Sequence, residues 1–305
     1  MFCLFKYLSC CYIFRNSCRH NVDFKRCCYM NEIFLAITYP PIPITQLGPV
    51  AFSLHGVFAA VGFYFGSTYA IKLCEKDGHD EQLFSDAFTW AIFGAIIGAR
   101  FFTIPAHIGD PGYGLDDVFS VAGSYSIMGG MSGGIIAAYL RIVIIGKAEF
   151  NTYSDYAAPA LIMGIAIGRI GDLAIVEHLG RATNFVFGYE IKPGYDVAPQ
   201  HNALECVAPE VSCGTFHHVA MYDLILATIF FFIFRYLQKN LNLGSGSWIG
   251  LWAIWYGVQR MILDTLRFGM GDATIGNFTW NQIGGATLAT IGLIIFLRFK
   301  NIRTG

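Results

Sequence analysis

The sequence predicts an all-α integral membrane protein of seven transmembrane helices, with its amino terminus outside and its carboxyl terminus cytoplasmic. Three observations predict it. Hydrophobic residues fill 55% of the 305 positions and charged ones only 13%, about half the charged share of a soluble domain. Mean hydropathy is +0.50. Much of the surface therefore lacks groups that water would solvate. Apolar runs of about 20 residues, enough to cross the hydrocarbon core, also recur along the chain. Gly (34 residues) and aromatics (16%) are both frequent, as where helices pack closely and rings gather at membrane interfaces. A net charge of −1 leaves no basic face to neutralise a duplex, so no nucleic-acid partner is expected.

The runs lie near 50–73, 84–106, 126–146, 153–175, 218–238, 247–266 and 279–299. The fourth and sixth contain charges but are otherwise apolar enough to insert. Connections are short except 177–217, which is polar and punctuated by Pro and Gly. No internal repeat or low-complexity tract interrupts the series. Orientation follows from the basic flanks. One set of loops carries Lys72, Lys76, Arg141, Lys147, Arg235, Lys239, Arg298, Lys300 and Arg303; the other carries Arg181, Lys192 and Arg267. That bias puts residues 31–49 and the 177–217 loop on the exoplasmic side.

Residues 1–29 fit poorly. They hold six of the nine cysteines and five basic residues, without an apolar run long enough to span or a signal-peptide cleavage site. Five more outer positive charges would weaken the orientation bias, so a start at Met30 is the preferred reading. A single membrane domain then covers 30–305.

Ionisable groups inside a bilayer cost at least about 2.5–3.5 kcal/mol each and usually mark function. Arg100 ends the second span. Arg169 and Asp172 sit late in the fourth, with Glu177 just beyond. Arg260, Asp264 and Arg267 sit late in the sixth, His55 opens the first, and His217 and His218 open the fifth. Because successive helices run in opposite directions, these positions share the outer half of the membrane, and every intramembrane charge is expected there. Arg260, Asp264 and Arg267, at i, i+4 and i+7, make one helical face that Tyr256 extends; Arg169 and Asp172 can share another. Gly164, Gly168 and Gly171 keep the fourth helix thin, so neighbouring backbones can approach that arginine. The bland alternative is a set of ion pairs holding helices in register. Converging guanidinium forks suit a phosphate, which points to a phospholipid headgroup at the outer leaflet.

The stretch Gly168-Arg-Ile-Gly-Asp-Leu-Ala-Ile-Val-Glu177-His-Leu-Gly180-Arg resembles the signature of prolipoprotein diacylglyceryl transferases, roughly G-R-x-G-N-F-x-N-x-E-x-x-G. Further blocks follow in that family's order. They are Tyr39-Pro-Pro-Ile-Pro with Leu47-Gly-Pro-Val and His55-Gly, then Ser126-Ile-Met-Gly-Gly, then His217-His-Val-Ala-Met-Tyr222-Asp. Trp255-Tyr-Gly-Val-Gln-Arg260-Met-Ile-Leu-Asp264-Thr-Leu-Arg267 comes next, and Gln282 fits the last span. The departures are specific. Asp172 and Ile175 replace the signature's two Asn, Asp264 replaces a Glu, His55 replaces the Tyr of a Tyr-Gly pair, and Met128 replaces the His often proposed as base.

The resemblance implies transfer of the diacylglyceryl group of phosphatidylglycerol to the lipobox cysteine thiol of a prolipoprotein, in the cell membrane, with release of glycerol phosphate. No cofactor or metal is implied. Arg169 and Arg260 would clamp the phosphate, with Gly180, Arg267 and Arg100 completing the lipid site. Asp172, Glu177 and Asp264 would orient the arginines or accept the thiol proton, and His55 is the substitute for the missing base. Two other classes stay open at this stage. One is a catalytically degenerate lipid-binding or scaffold protein; the other is a small anion or lipid transporter. Cys206 and Cys213, six residues apart in an outer loop, are expected to form a disulfide.

Overall fold

The computed structural model describes residues 36–47, 50–104, 114, 126–185, 187–192, 194–195, 197, 214–267 and 274–301. The expectations about residues 1–29 and about Cys206 and Cys213 lie outside them.

Seven long helical rods account for most of the described chain: α1 (Leu54–Lys76), α2 (Glu81–Phe101), α3 (Ile127–Tyr139, extended by a π turn over Leu140–Ile145), α4 (Phe150–Ile175), α5 (Val219–Asn240), α6 (Ser247–Leu266) and α7 (Trp280–Phe299). Each falls where the apolar runs placed it. Several starts are set by a capping side chain that accepts an otherwise orphaned backbone N–H: Ser53 for α1, Asp80 for α2, Ser126 for α3 and Thr279 for α7. Five helices, α1, α2, α4, α5 and α7, are long and apolar enough to cross a membrane. Helix α6 is not among them, because Trp, Tyr, Gln, Arg and Asp interrupt its apolar residues. The continuous stretch Gly129–Ile145 is a shorter apolar helix. Large apolar side chains such as Phe93 and Ile97 on α2, Phe232 on α5 and Ile294 on α7 point outward, as on a surface that meets lipid. The chain is a mostly helical, multi-pass membrane protein.

The closest partnerships are α1 with α4, α2 with α3, and α6 with α7, while α4 also meets α5 and α6. Small residues permit them. A Cβ at Gly62 would sit 2.8 Å from the carbonyl oxygen of Gly164, and one at Gly171 would sit 2.6 Å from that of Leu54. Helix α4 is thus the axis on which the charged residues of α1, α5 and α6 converge.

The described residues of the 177–217 segment include strands. Strands β3 (Leu179–Ala182), β4 (Gly188–Glu190) and β5 (Thr215–His218) form an antiparallel sheet in the order β3-β5-β4; β1 (Thr45–Leu47) pairs with β2 (Val50–Phe52), and β6 (Thr274–Ile275) with β7 (Phe278–Thr279). These strands are two to four residues long, too short for alternation to register in the sequence. Ile37 bridges to Tyr189, and Tyr189 is fully buried. Its hydroxyl donates to the Tyr39 carbonyl at 2.5 Å, while the Tyr39 hydroxyl donates to the Leu173 carbonyl at 2.6 Å. The amino-terminal run is thereby fastened to the sheet and to the end of α4.

One expectation needs correcting. Not every intramembrane charge lies in the same half. At the opposite end Arg141 donates to Asp86 at 2.5 Å. Asp155, in the second turn of α4, accepts the Gly246 and Ile249 N–H groups at 2.7 and 2.8 Å. Both are structural uses of charge, one a strut between α2 and the π turn, the other a cap on α6 borrowed from a neighbouring helix.

Candidate active site at the charged end

Helix α4 ends in two left-handed residues, Val176 (φ 55°) and His178 (φ 64°). A β-branched residue rarely adopts that region, and such backbone strain persists where surroundings enforce it, often at functional sites. Between them sits Glu177, whose N–H closes on the Asp172 carbonyl at 2.9 Å. The turn therefore aims Glu177 back over the last turn of its own helix.

Buried polar groups form a chain across four helices. Asp172, with a side chain 1% exposed, receives His55 Nδ1 of α1 on one oxygen and Arg169 Nη1 on the other, at 2.5 Å. The Nε of Arg169 reaches Asp223 of α5 at 2.6 Å, and the Asp223 side chain is also 1% exposed. Its second oxygen accepts the side-chain amide of Gln259 on α6. Gly171 makes the first link possible: a Cβ there would lie 2.9 Å from the His55 Cα, so only a glycine lets the first turn of α1 rest against α4. The Ser53 cap, accepting the His55 N–H at 3.2 Å, fixes where that turn begins.

The α6 face divides into two parts. Asp264 is buried, accepts the Thr279 hydroxyl at 2.5 Å and lies 3.7 Å from Arg267 Nη1. The same Thr279 oxygen accepts the Gln282 N–H at 3.1 Å in a capping box, so one hydroxyl ties α6 to the start of α7. Arg267 also bridges in antiparallel fashion to Gly180 of β3. A Cβ on Gly180 would run into the Leu266 carbonyl and lie 3.0 Å from the His217 Cβ. Arg260 is different. It is half-buried, and among the described residues no carboxylate lies within ion-pair distance of it. Arg100 is buried in the last turn of α2, a helix that packs most closely on α3 and also meets α1.

Three further histidines stand nearby. Burial, with Arg169, Arg267 and Arg260 all acting on it, drives the His178 imidazole down to about 4. His218 is fully buried, bonds the Tyr39 hydroxyl through Nε2 at 2.9 Å, and is also driven down to about 4 by burial. His217 shares a hydrogen bond with the Tyr222 hydroxyl at 3.1 Å, and its burial likewise favours the neutral ring. His55 alone among the four holds a carboxylate.

The structure thus unites Arg169, Asp172 and His55 in direct contact and draws Glu177 close to them. It groups Asp264 with Arg267 and Gly180, and it leaves Arg260 without an acidic partner among the described residues and Arg100 on a separate helix. Asp223 and His178 were missed as site residues. Both lie inside the recognised blocks, so a signal was present, but cross-helix partners are invisible in spacing along one helix. His55, Asp172 and Glu177 have potential ligand atoms within 4.8 Å of one another, near enough to share a proton or a cation. Nδ1 of His55 and both oxygens of Asp172 are already engaged, which favours the proton.

Comparison with known proteins adds to this geometry. A sequence model of the prolipoprotein diacylglyceryl transferase family matches residues 42–298. A phosphatidylglycerol–prolipoprotein diacylglyceryl transferase of Rickettsia rickettsii (strain Sheila Smith) is 33% identical over 269 residues, covering 84% of this chain and 96% of the relative. That of Corynebacterium diphtheriae is 27% identical over 249 residues, 80% of this chain and 87% of the relative. That of Leifsonia xyli is 25% identical over 258 residues, 81% and 74%. The match runs from before α1 into the last turn of α7, through every helix that contributes to the charged end, and the chain belongs to the prolipoprotein diacylglyceryl transferase family.

Proposed function

We propose that this chain moves the diacylglyceryl group of phosphatidylglycerol onto the lipobox cysteine thiol of a prolipoprotein, with the charged end of a seven-span bundle at the outer leaflet of the cell membrane. Sulfur forms a bond to the glyceryl methylene as that carbon's bond to the phosphate oxygen breaks. A phosphodiester with one negative charge becomes a phosphomonoester approaching two, so the transition state needs cationic stabilisation at the departing phosphate. The observation that carries the reading is Arg260, a half-buried guanidinium without an acidic partner among the described residues, placed with Arg169 and Arg267 around His178. Its five N–H donors are available to an incoming phosphate, and a preorganised charge of this kind stabilises developing anions.

Arg169 has a different part. Two buried carboxylates already hold it, which orients the guanidinium and leaves its Nη2 for a third acceptor. Arg267 and Asp264 stiffen the end of α6 against β3 and α7. Glu177, aimed by the strained turn, stands beside the reacting groups. The basic residues at the other end of the rods support the orientation, with the carboxyl terminus in the cytoplasm.

The test is a single-turnover assay of purified protein with phosphatidylglycerol and a synthetic lipobox peptide. The expected product is a peptide heavier by one diacylglyceryl group, joined through a thioether, with glycerol phosphate released. A folded protein that binds the lipid without forming that product would instead be a degenerate binding protein.

A further inference from the structure

We propose that His55 and Asp172 act as one proton-accepting dyad, in which His55 Nε2 takes the proton of the acceptor thiol and Asp172 is the positioning residue that holds the ring. This rests on the transfer reaction proposed above and supplies its missing base.

Geometry argues first. Asp172 is anchored from behind by Arg169 Nη1 at 2.5 Å, so its other oxygen is a fixed acceptor for His55 Nδ1. With Nδ1–H donating to that carboxylate, the neutral ring presents the lone pair of Nε2. The His55 side chain is 50% exposed, and Nε2, across the ring from the engaged Nδ1, has no hydrogen-bond partner among the described residues. A carboxylate that fixes the tautomer and then balances the imidazolium is the arrangement that makes histidine an effective base. The charged groups acting on the ring are Asp172, Arg169 and Glu177, all from α4 and the turn that ends it. The other described histidines at this end lack the arrangement. Burial keeps His178 and His218 neutral down to about pH 4, far below the ~8.5 of a thiol whose proton they would have to hold, and His217 is bonded to a tyrosine hydroxyl.

The pattern of departures argues second, and independently. The family motif has Tyr where this chain has His55, Asn where it has Asp172, and His where it has Met128. The first two positions lie on different helices, 117 residues apart, and touch. Here the two positions form a His–Asp contact, in a chain that carries no imidazole at position 128. The imidazole absent at position 128 on α3 thus has a counterpart at the junction of α1 and α4, paired with a carboxylate.

The step balances. The thiol S–H bond breaks, its proton passes to Nε2, and its electron pair forms the S–C bond to the glyceryl methylene. The C–O pair leaves on the phosphate oxygen, beside Arg260. The imidazolium is neutralised by Asp172 until Nε2 returns the proton to water.

The experiment measures initial transfer rates across pH for wild type, His55→Gln, Asp172→Asn and the double variant, with cysteine and selenocysteine forms of the lipobox peptide. His55→Gln should lower kcat by roughly 10²–10⁴-fold, leave KM for phosphatidylglycerol unchanged and abolish the acidic limb of the profile. The double variant should be no slower than His55→Gln alone, since residues acting as a unit are not additive. A selenol ionises without a base, so the selenocysteine peptide should recover His55→Gln far more than wild type and leave Arg260→Gln unrecovered. Should Asp172→Asn fail to fold, the half-exposed His55→Gln still decides. A His55→Gln enzyme with wild-type rate or an intact acidic limb overturns the dyad alone. A wild-type protein that transfers nothing overturns the reaction itself, and the dyad with it.

Discussion

Arg169 and Arg260 read alike in sequence, as two arginines on apolar helices near one membrane face, but the structure predicts that replacing them fails in different ways. Substituting Arg169 by Gln removes the guanidinium that links Asp172 and Asp223, two carboxylates each 1% exposed. Breaking a buried pair from one side costs about 3–5 kcal/mol because the remaining charge stays buried, and here two remain. Arg260→Gln leaves no carboxylate behind among the described residues, so its stability cost should stay within about 1 kcal/mol. Its effect on rate should be that of removing a preorganised donor at a developing anion, about 10²–10³-fold in kcat. Arg260→Lys should recover only part of that, because an ammonium cannot make the forked contact. Thermal transitions in detergent, followed by tryptophan fluorescence, measure the first quantity, and transfer to a lipobox peptide below both transitions measures the second. Equal destabilisation by the two Gln variants, or less than tenfold loss in Arg260→Gln, would refute the division of labour.

Thr279→Val should strip the donor from Asp264 Oδ2, now held at 2.5 Å, and destabilise by about 1–3 kcal/mol, seen as a lower melting temperature that Asp264→Asn partly relieves. Gly171→Ala would set a methyl 2.6 Å from the Leu54 carbonyl and lift the first turn of α1 from α4. Transfer should fall at least about tenfold in otherwise wild-type protein, while the same change in a His55→Gln background should cost little more, since interactions already lost cannot be lost twice. His218 gives a pH prediction. Its folded value of about 4 lies below the ~6.5 of an unfolded histidine, so the unfolded chain binds more protons between those limits and stability rises with pH there. The contribution is complete above pH 6.5 and is lost as pH falls towards 4, by about 3 kcal/mol; His218→Gln should flatten the melting temperature over that interval.

What the sequence revealed and what it withheld separate along physical lines. Helix placement was legible because each rod is specified locally, by twenty or so apolar residues and a capping side chain such as Ser53 or Thr279. The end that carries the site was legible because antiparallel helices bring alternate termini together, so Arg169 late in α4 and His55 early in α1 must share a depth. Partnership was not legible. Spacing along one helix offers i+3 and i+4 neighbours, and on α6 it suggested Arg260 with Asp264; the structure pairs Asp264 with Thr279 and Arg267, and Arg169 with Asp223 on the next helix, α5. Those choices depend on which backbones approach closely, and that is decided by single glycines such as Gly171 and Gly180 whose effect appears only when the facing helix or strand is known. The same holds for the departures from the family pattern. Taken singly, His55, Asp172 and Met128 each look like the loss of a family residue. Once α1 is seated on α4, two of them prove to be in contact, and a sequence that seemed to have lost a base has the parts of one in a new place.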